Sequence, residues 1–126
     1  MFWLFNTLGH LLLGGAFVLF GIRNIKNIPR LTGVLEQKKI PQPKNAATFG
    51  VGLQIVGGAL TALAPFGPFG VLGGLAMIVF LVLATVLFHP YWDYSGEEQI
   101  PHINATIMNT SLVGAFLMVI ALGSAG

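Results

Sequence analysis

The side chains best equipped for chemistry are concentrated between two long apolar runs, in Leu87-Phe88-His89-Pro90-Tyr91-Trp92-Asp93-Tyr94-Ser95-Gly96-Glu97-Glu98-Gln99-Ile100-Pro101-His102. This stretch holds three of the four acidic residues, two of the three histidines and both tyrosines. An imidazole titrates near neutrality, so His89 has the chemistry to accept or relay a proton, such as one from a quinol, at a membrane surface. His89 and His102, with Glu97 or Glu98, also have the composition of a two-histidine, one-carboxylate metal site. The spacing does not support that second use. No H-x-x-x-H or E-x-x-H pattern places two ligands on one helix face, and no metal set is assigned. Tyr91, Trp92 and Tyr94 have the apolar body and polar tip of residues that anchor a chain at the lipid–water boundary, and Trp3 is their counterpart at the far side.

A second group of polar residues lies inside apolar runs. His10 falls on one stripe with Asn6, Gly14 and Gly21, and a stripe of small and polar residues faces other helices rather than lipid. Gln54 shares a near-helical repeat with Gly50, Gly58 and Thr61. Asn109, followed by Thr110 and Ser111, stands about two turns inside the last run, near the expected depth of Gln54, and Thr85 is about one turn inside the third. Such residues glue membrane helices together by hydrogen bonds. The alternative is a cleft in which Gln54, His89, Trp92 and Asn109 contact a quinone or a lipid. The glycines are not a phosphate-binding loop, because they sit within apolar helix and not between a strand and a helix.

The solvent that positions these groups follows from composition. Hydrophobic residues make up 55% of the 126 and charged residues 8%, and the mean hydropathy is +0.82. This is the balance of an integral membrane protein. With no cysteine there is no disulfide, thiolate nucleophile or cysteine-held metal, so any redox chemistry needs a bound cofactor or a partner. The net charge of +2 is not a nucleic-acid footprint, because the basic residues border membrane spans.

The expected architecture is all-α, a four-helix membrane bundle forming one transmembrane domain over residues 1–126. Residues 3–22 carry no charge and at about 1.5 Å per residue reach roughly 30 Å, enough to cross the hydrocarbon. No Lys or Arg precedes Arg23, so this run reads as a retained helix and not as a signal peptide. The other helices are expected over about 46–64, 69–88 and 103–122. Ala64-Pro65-Phe66-Gly67-Pro68 makes a tight turn between the second and third. Hydrophilic loops occupy 23–45 and 89–102. In the first, Lys38-Lys39-Ile40-Pro41-Gln42-Pro43 breaks any helix, and residues 30–37 can form a short helix at the interface.

All six cations, Arg23, Lys26, Arg30, Lys38, Lys39 and Lys44, lie in the first loop. The positive-inside rule puts that loop in the cytoplasm, and alternation then places the 89–102 loop beside it and both termini in the periplasm. Asp93, Glu97 and Glu98 would then meet these cations across the two loops in ion pairs worth about 0 to 1 kcal/mol each.

The chain resembles the DoxX family of small four-helix bacterial membrane proteins over nearly its whole length. The resemblance rests on Leu8-Gly9-His10-Leu11 through Phe17 and Gly21-Ile22, on Ile40-Pro41-Gln42-Pro43, on Gln54-Ile55-Val56-Gly57-Gly58-Ala59-Leu60, on Ala84-Thr85-Val86-Leu87-Phe88-His89 with Trp92, and on Ile103-Asn104 to Asn109 with Gly114. It implies a bacterial inner-membrane location and an association with quinone or sulfur oxidoreduction, and it implies a fold more firmly than a reaction. Two departures stand out. The family tends to place an arginine where this chain has His10, and a glutamate where it has Gln54. An intramembrane ion pair would thus be replaced by a neutral interhelical pair, His10 with Gln54, since loss of one buried charge favours loss of the other.

The function expected on these grounds is that of a small accessory or structural subunit of a larger bacterial membrane complex, of electron-transfer type, or of a homo-oligomer in the bilayer. The alternative is a quinone-linked oxidoreductase subunit. A small-solute transporter is disfavoured, because the helices show no internal repeat or broken span.

Overall fold

The computed structural model describes residues 1–125, leaving Gly126 outside the described part, and is helical with no strand. The first uncharged run is a single helix, α1 (Phe2–Asn24). A 3₁₀ turn over Ile25–Asn27 leads into a short helix, α2 (Ile28–Gln37), within the loop where a short interfacial helix was expected. Pro29 is accommodated in its first turn, where a missing amide proton breaks no bond. The Lys-Lys-Ile-Pro-Gln-Pro run then ends the helix. Lys39 turns left-handed at φ 59°, and the Ile40 amide donates back to the Leu35 carbonyl, satisfying a carbonyl at the end of α2.

The third helix, α3 (Pro43–Ala62), starts three residues before its expected boundary, because Pro43 fits the first helical position. A 3₁₀ turn over Ala64–Phe66 and a short link connect it to α4 (Gly70–Phe88). The hydrophilic stretch after α4 forms two 3₁₀ turns, Tyr91–Asp93 and Gly96–Glu98. The last helix, α5 (Gln99–Ala125), begins four residues earlier than expected, since Pro101 is harmless in a first turn.

Three helical segments, those containing α1, α4 and α5, are long and apolar enough to cross a membrane. By the same measures α3 falls short, so three of the four expected spans have the length and apolarity to cross. Lys44, Asn45, Thr48, Gln54, Thr61 and four glycines (Gly50, Gly52, Gly57, Gly58) dilute α3. Its place in the fold explains the composition. The long helices lie side by side in the order α1, α3, α4, α5, with α2 also packed on α3. An interior helix faces other helices on several sides and needs small residues more than lipophilic ones.

Glycine closes the seams at the end near the Pro65–Pro68 turn. A Cβ on Gly58 would stand 2.8 Å from the Gly14 carbonyl oxygen, one on Gly73 2.8 Å from the Thr61 nitrogen, and one on Gly123 3.0 Å from the Val71 nitrogen. These are backbone-to-backbone contacts that no side chain fits. Below them Met77, Leu81, Phe116 and Val119 form the buried core. Phe17 reaches across from α1 to meet Phe116 of α5 edge-on at 5.6 Å and Phe80 of α4 at 6.4 Å. Elsewhere α1 and α5 form no packed seam, so the row of helices is not closed into a complete bundle.

Candidate functional site

The antiparallel run of the helices gathers the end of α1, α2, the start of α3, the end of α4 and the start of α5 at one end of the molecule. All six cations and all four acids are therefore at this loop end. The helices diverge there and leave a cleft of about 1380 Å³, lined by residues of all five helices and of the loop after α4. Along α1 it extends from Gly9 to Asn24, roughly 20 Å by the helical rise. Leu12, Phe20 and Met108 line it while remaining 73%, 58% and 62% exposed, so it opens sideways between α1 and α5 onto the surroundings of the bundle.

The walls are mostly apolar, and the polar groups sit towards the loop end in three sets. Asn24 of α1 donates from Nδ2 to Gln54 Oε1 of α3 at 3.1 Å, and Asn24 Oδ1 accepts from Asn27. Gln54 is buried, so this bond satisfies an amide that an apolar helix could not. Asn109 of α5 donates to Thr85 Oγ1 of α4 at 2.9 Å, while that hydroxyl donates to the Leu81 carbonyl. His89 and His102 face each other with Nδ1 atoms 3.2 Å apart and ring centroids at 5.3 Å. Tyr94 stacks on the His102 ring with centroids 4.2 Å apart.

The histidine contact needs a proton on one Nδ1 and a lone pair on the other. A proton on both would set two donors against each other. His89 lies beyond the last residue of α4, in the hydrophilic loop, and its pKa is held below the ordinary 6.5 by burial first and then by the charge of His102. The pair can hold one proton along this axis and resists a second. Among the described residues no group of three or more His, Cys, Asp or Glu is gathered at a point. Glu97 and Glu98 are exposed and are not brought into a cluster with the histidines.

Several expectations are corrected. His10 and Gln54 are not partners. The registry of the antiparallel helices α1 and α3 sets Gly14 against Gly58 and Ala62, and Gly21 against Ile55, which leaves His10 beside Ala64 and Pro65 at the turn end. Gln54 is opposite the last turns of α1, roughly 20 Å away by the helical rise. His10 Nδ1 instead donates to the Asn6 carbonyl of its own helix at 2.7 Å, since a carbonyl only accepts. Trp92 does not line the cleft, although Gln54, His89 and Asn109 do. It packs edge-on against Tyr91 at 5.2 Å and is 56% exposed, and Tyr94 occupies the cleft wall in its place. Trp3 is 64% exposed at the start of α1. No ion pair joins the basic loop to Asp93, Glu97 or Glu98 among the described residues. Instead, Arg30 and Lys38 line the cleft.

Asn24 carries no signal in the sequence, because it follows Arg23 and reads as loop. Its partner on α3 is defined only by helix registry.

Among curated proteins the chain is similar to the inner membrane protein YphA of Escherichia coli (strain K12). The two are 28% identical over 108 residues, covering 85% of this chain and 74% of the relative. No family model matches the chain, and no solved structure matches it significantly.

Proposed function

We propose that this is a DoxX-like, multi-pass protein of the bacterial inner membrane, with α3 as a fourth span, that serves a larger membrane complex of electron-transfer type as a small accessory subunit by holding an amphiphilic molecule from the bilayer. The observation that carries the reading is the cleft itself. It is apolar along about 20 Å of α1 and polar at one end, and it opens where α1 and α5 part. A membrane-dissolved molecule with a polar head can enter such a site sideways without leaving the lipid. The similarity to an inner membrane protein supports the location, and the six cations at the loop end support a cytoplasmic placing of that end with both termini periplasmic. Tyr91, Trp92, Tyr94 and Trp3 then serve as boundary anchors.

A second reading, a quinone-linked oxidoreductase subunit, is favoured by one arrangement. Gln54, His89 and Asn109 line the same cleft, and the His89–His102 pair offers one proton acceptor at the head end. In that reading a quinol would give one proton to His89 and the other to water at the loop end, and its two electrons would pass to a partner's redox group. The two readings separate on purification in mild detergent. A stoichiometric larger chain, with no turnover by the isolated protein, supports the accessory subunit. Isolated protein that carries extractable quinone and exchanges electrons with an added acceptor replaces it with the second reading.

A further inference from the structure

The charges on the cleft wall narrow the class of molecule it takes. Arg30 of α2 and Lys38, the residue just past the end of α2, line the cleft, eight positions and about 12 Å apart by the helical rise. Among the described residues none of the lining is Asp or Glu, and neither cation stands in an ion pair. Two positive charges thus border an apolar space that opens sideways, while the one acid of α2, Glu36, does not line it. Leu31, Val34 and Leu35 line the same wall between them, so the α2 side of the cleft is an amphipathic strip with cations at the loop end. A neutral quinone head has no use for these charges. An anionic head does, and basic pockets between membrane helices are recognised sites for lipid phosphates.

We infer that the cleft binds an anionic glycerophospholipid, its phosphate held at the mouth by Arg30 and Lys38 and an acyl chain laid along α1 past Phe20, Ala16 and Leu12. This rests on the reading of the cleft as an amphiphile site and names the occupant. Asn24 and Gln54, already bonded to each other, lie beneath the head and bound the depth to which a polar group can sink. The fit also explains a feature of the basic residues. Lys26, Lys39 and Lys44 share the loop end but do not line the cleft, so charge at this end and charge at the site can be separated.

The protein is reconstituted in nanodiscs of equal parts phosphatidylcholine and phosphatidylglycerol, then released into mild detergent, and the retained lipids are identified by native mass spectrometry. The wild-type protein is expected to keep phosphatidylglycerol in preference to phosphatidylcholine. Arg30→Gln and Lys38→Gln should each lower that preference about fivefold, and the double variant roughly thirtyfold. Lys26→Gln with Lys44→Gln, an equal loss of charge outside the cleft, should leave it unchanged. Ala16→Phe, which adds a ring to an exposed position on the cleft wall, should reduce retention of both lipids. An equal fall in the Lys26/Lys44 control would mean diffuse surface attraction and would overturn the inference. So would equal retention of the two lipids, or bound quinone in place of lipid. If Ala16→Phe empties the site while the Arg30 and Lys38 variants keep the preference, the amphiphile reading stands and the anionic lipid falls. If Ala16→Phe changes nothing, both fall.

Discussion

The two halves of α3 use the same residue type for opposite ends. At the turn end Gly57 and Gly58 are pressed between α1 and α4, with no room for a methyl group on either. At the loop end Gly50 has open space at its Cβ position and lines the cleft. A glycine in a membrane helix thus says that a backbone can be approached, but not that anything approaches it. The turn end is a zipper of backbones, and the loop end is a space with polar fittings.

The largest effect should come from putting a side chain into the zipper. Gly58→Val forces α1 and α3 apart at a contact with no flexible atom to yield, and should cost roughly 3 kcal/mol or more. Gly50→Val, eight residues earlier, should leave the unfolding midpoint in detergent within experimental scatter. Similar losses in both variants would erase the distinction between the halves. Next comes the ring that joins them. Phe116→Ala removes a fully buried side chain that packs against Phe17 and should cost about 3 kcal/mol, read by the same thermal unfolding.

A smaller effect tests the polar fittings. Gln54→Leu strips the acceptor from Asn24 Nδ2 and should cost roughly 1 kcal/mol. His10→Leu breaks a separate bond at the other end. The two substitutions should therefore add, and strong non-additivity would restore a His10–Gln54 pair that the helix registry denies. The gentlest probe is pH. His89 has its folded-state pKa held below 6.5, so above that value it is neutral whether the chain is folded or unfolded, and costs nothing. As pH falls through 6.5 the unfolded chain takes the proton first, and the folded state loses stability until the lowered value is passed. Acidification from about pH 7.5 to about 5.5 should destabilise the wild-type protein more than His89→Gln, and an equal loss in both would remove the pair as a titrating unit.

Much of this was legible beforehand, for reasons of solvent. The helix starts at residues 2, 43, 70 and 99 lie within a few residues of the expected ones, and the two larger differences, at 43 and 99, come from prolines that first turns tolerate. The short helix before Lys38 also followed from pattern, since the Lys-Lys-Ile-Pro-Gln-Pro run marks where it must end. What escaped was registry. Residue type pairs Gln54 with His10, but nothing in their types tells which level of α1 faces which level of α3. That is decided by where Gly14 and Gly58 let the backbones touch.

The sequence by itself determined that the chain is helical and membrane-embedded, with its charges at one end, because long uncharged runs, proline-marked breaks and the clustering of Lys and Arg are local properties of composition. Only the tertiary structure decided that the helices form an open row and not a closed bundle, that Asn24 and not His10 satisfies Gln54, and that Arg30 and Lys38 border a cleft. Each of these depends on how far apart two helices stand at a given height. That separation is set by the fit of small residues against a neighbour elsewhere in the chain, which neither side carries alone.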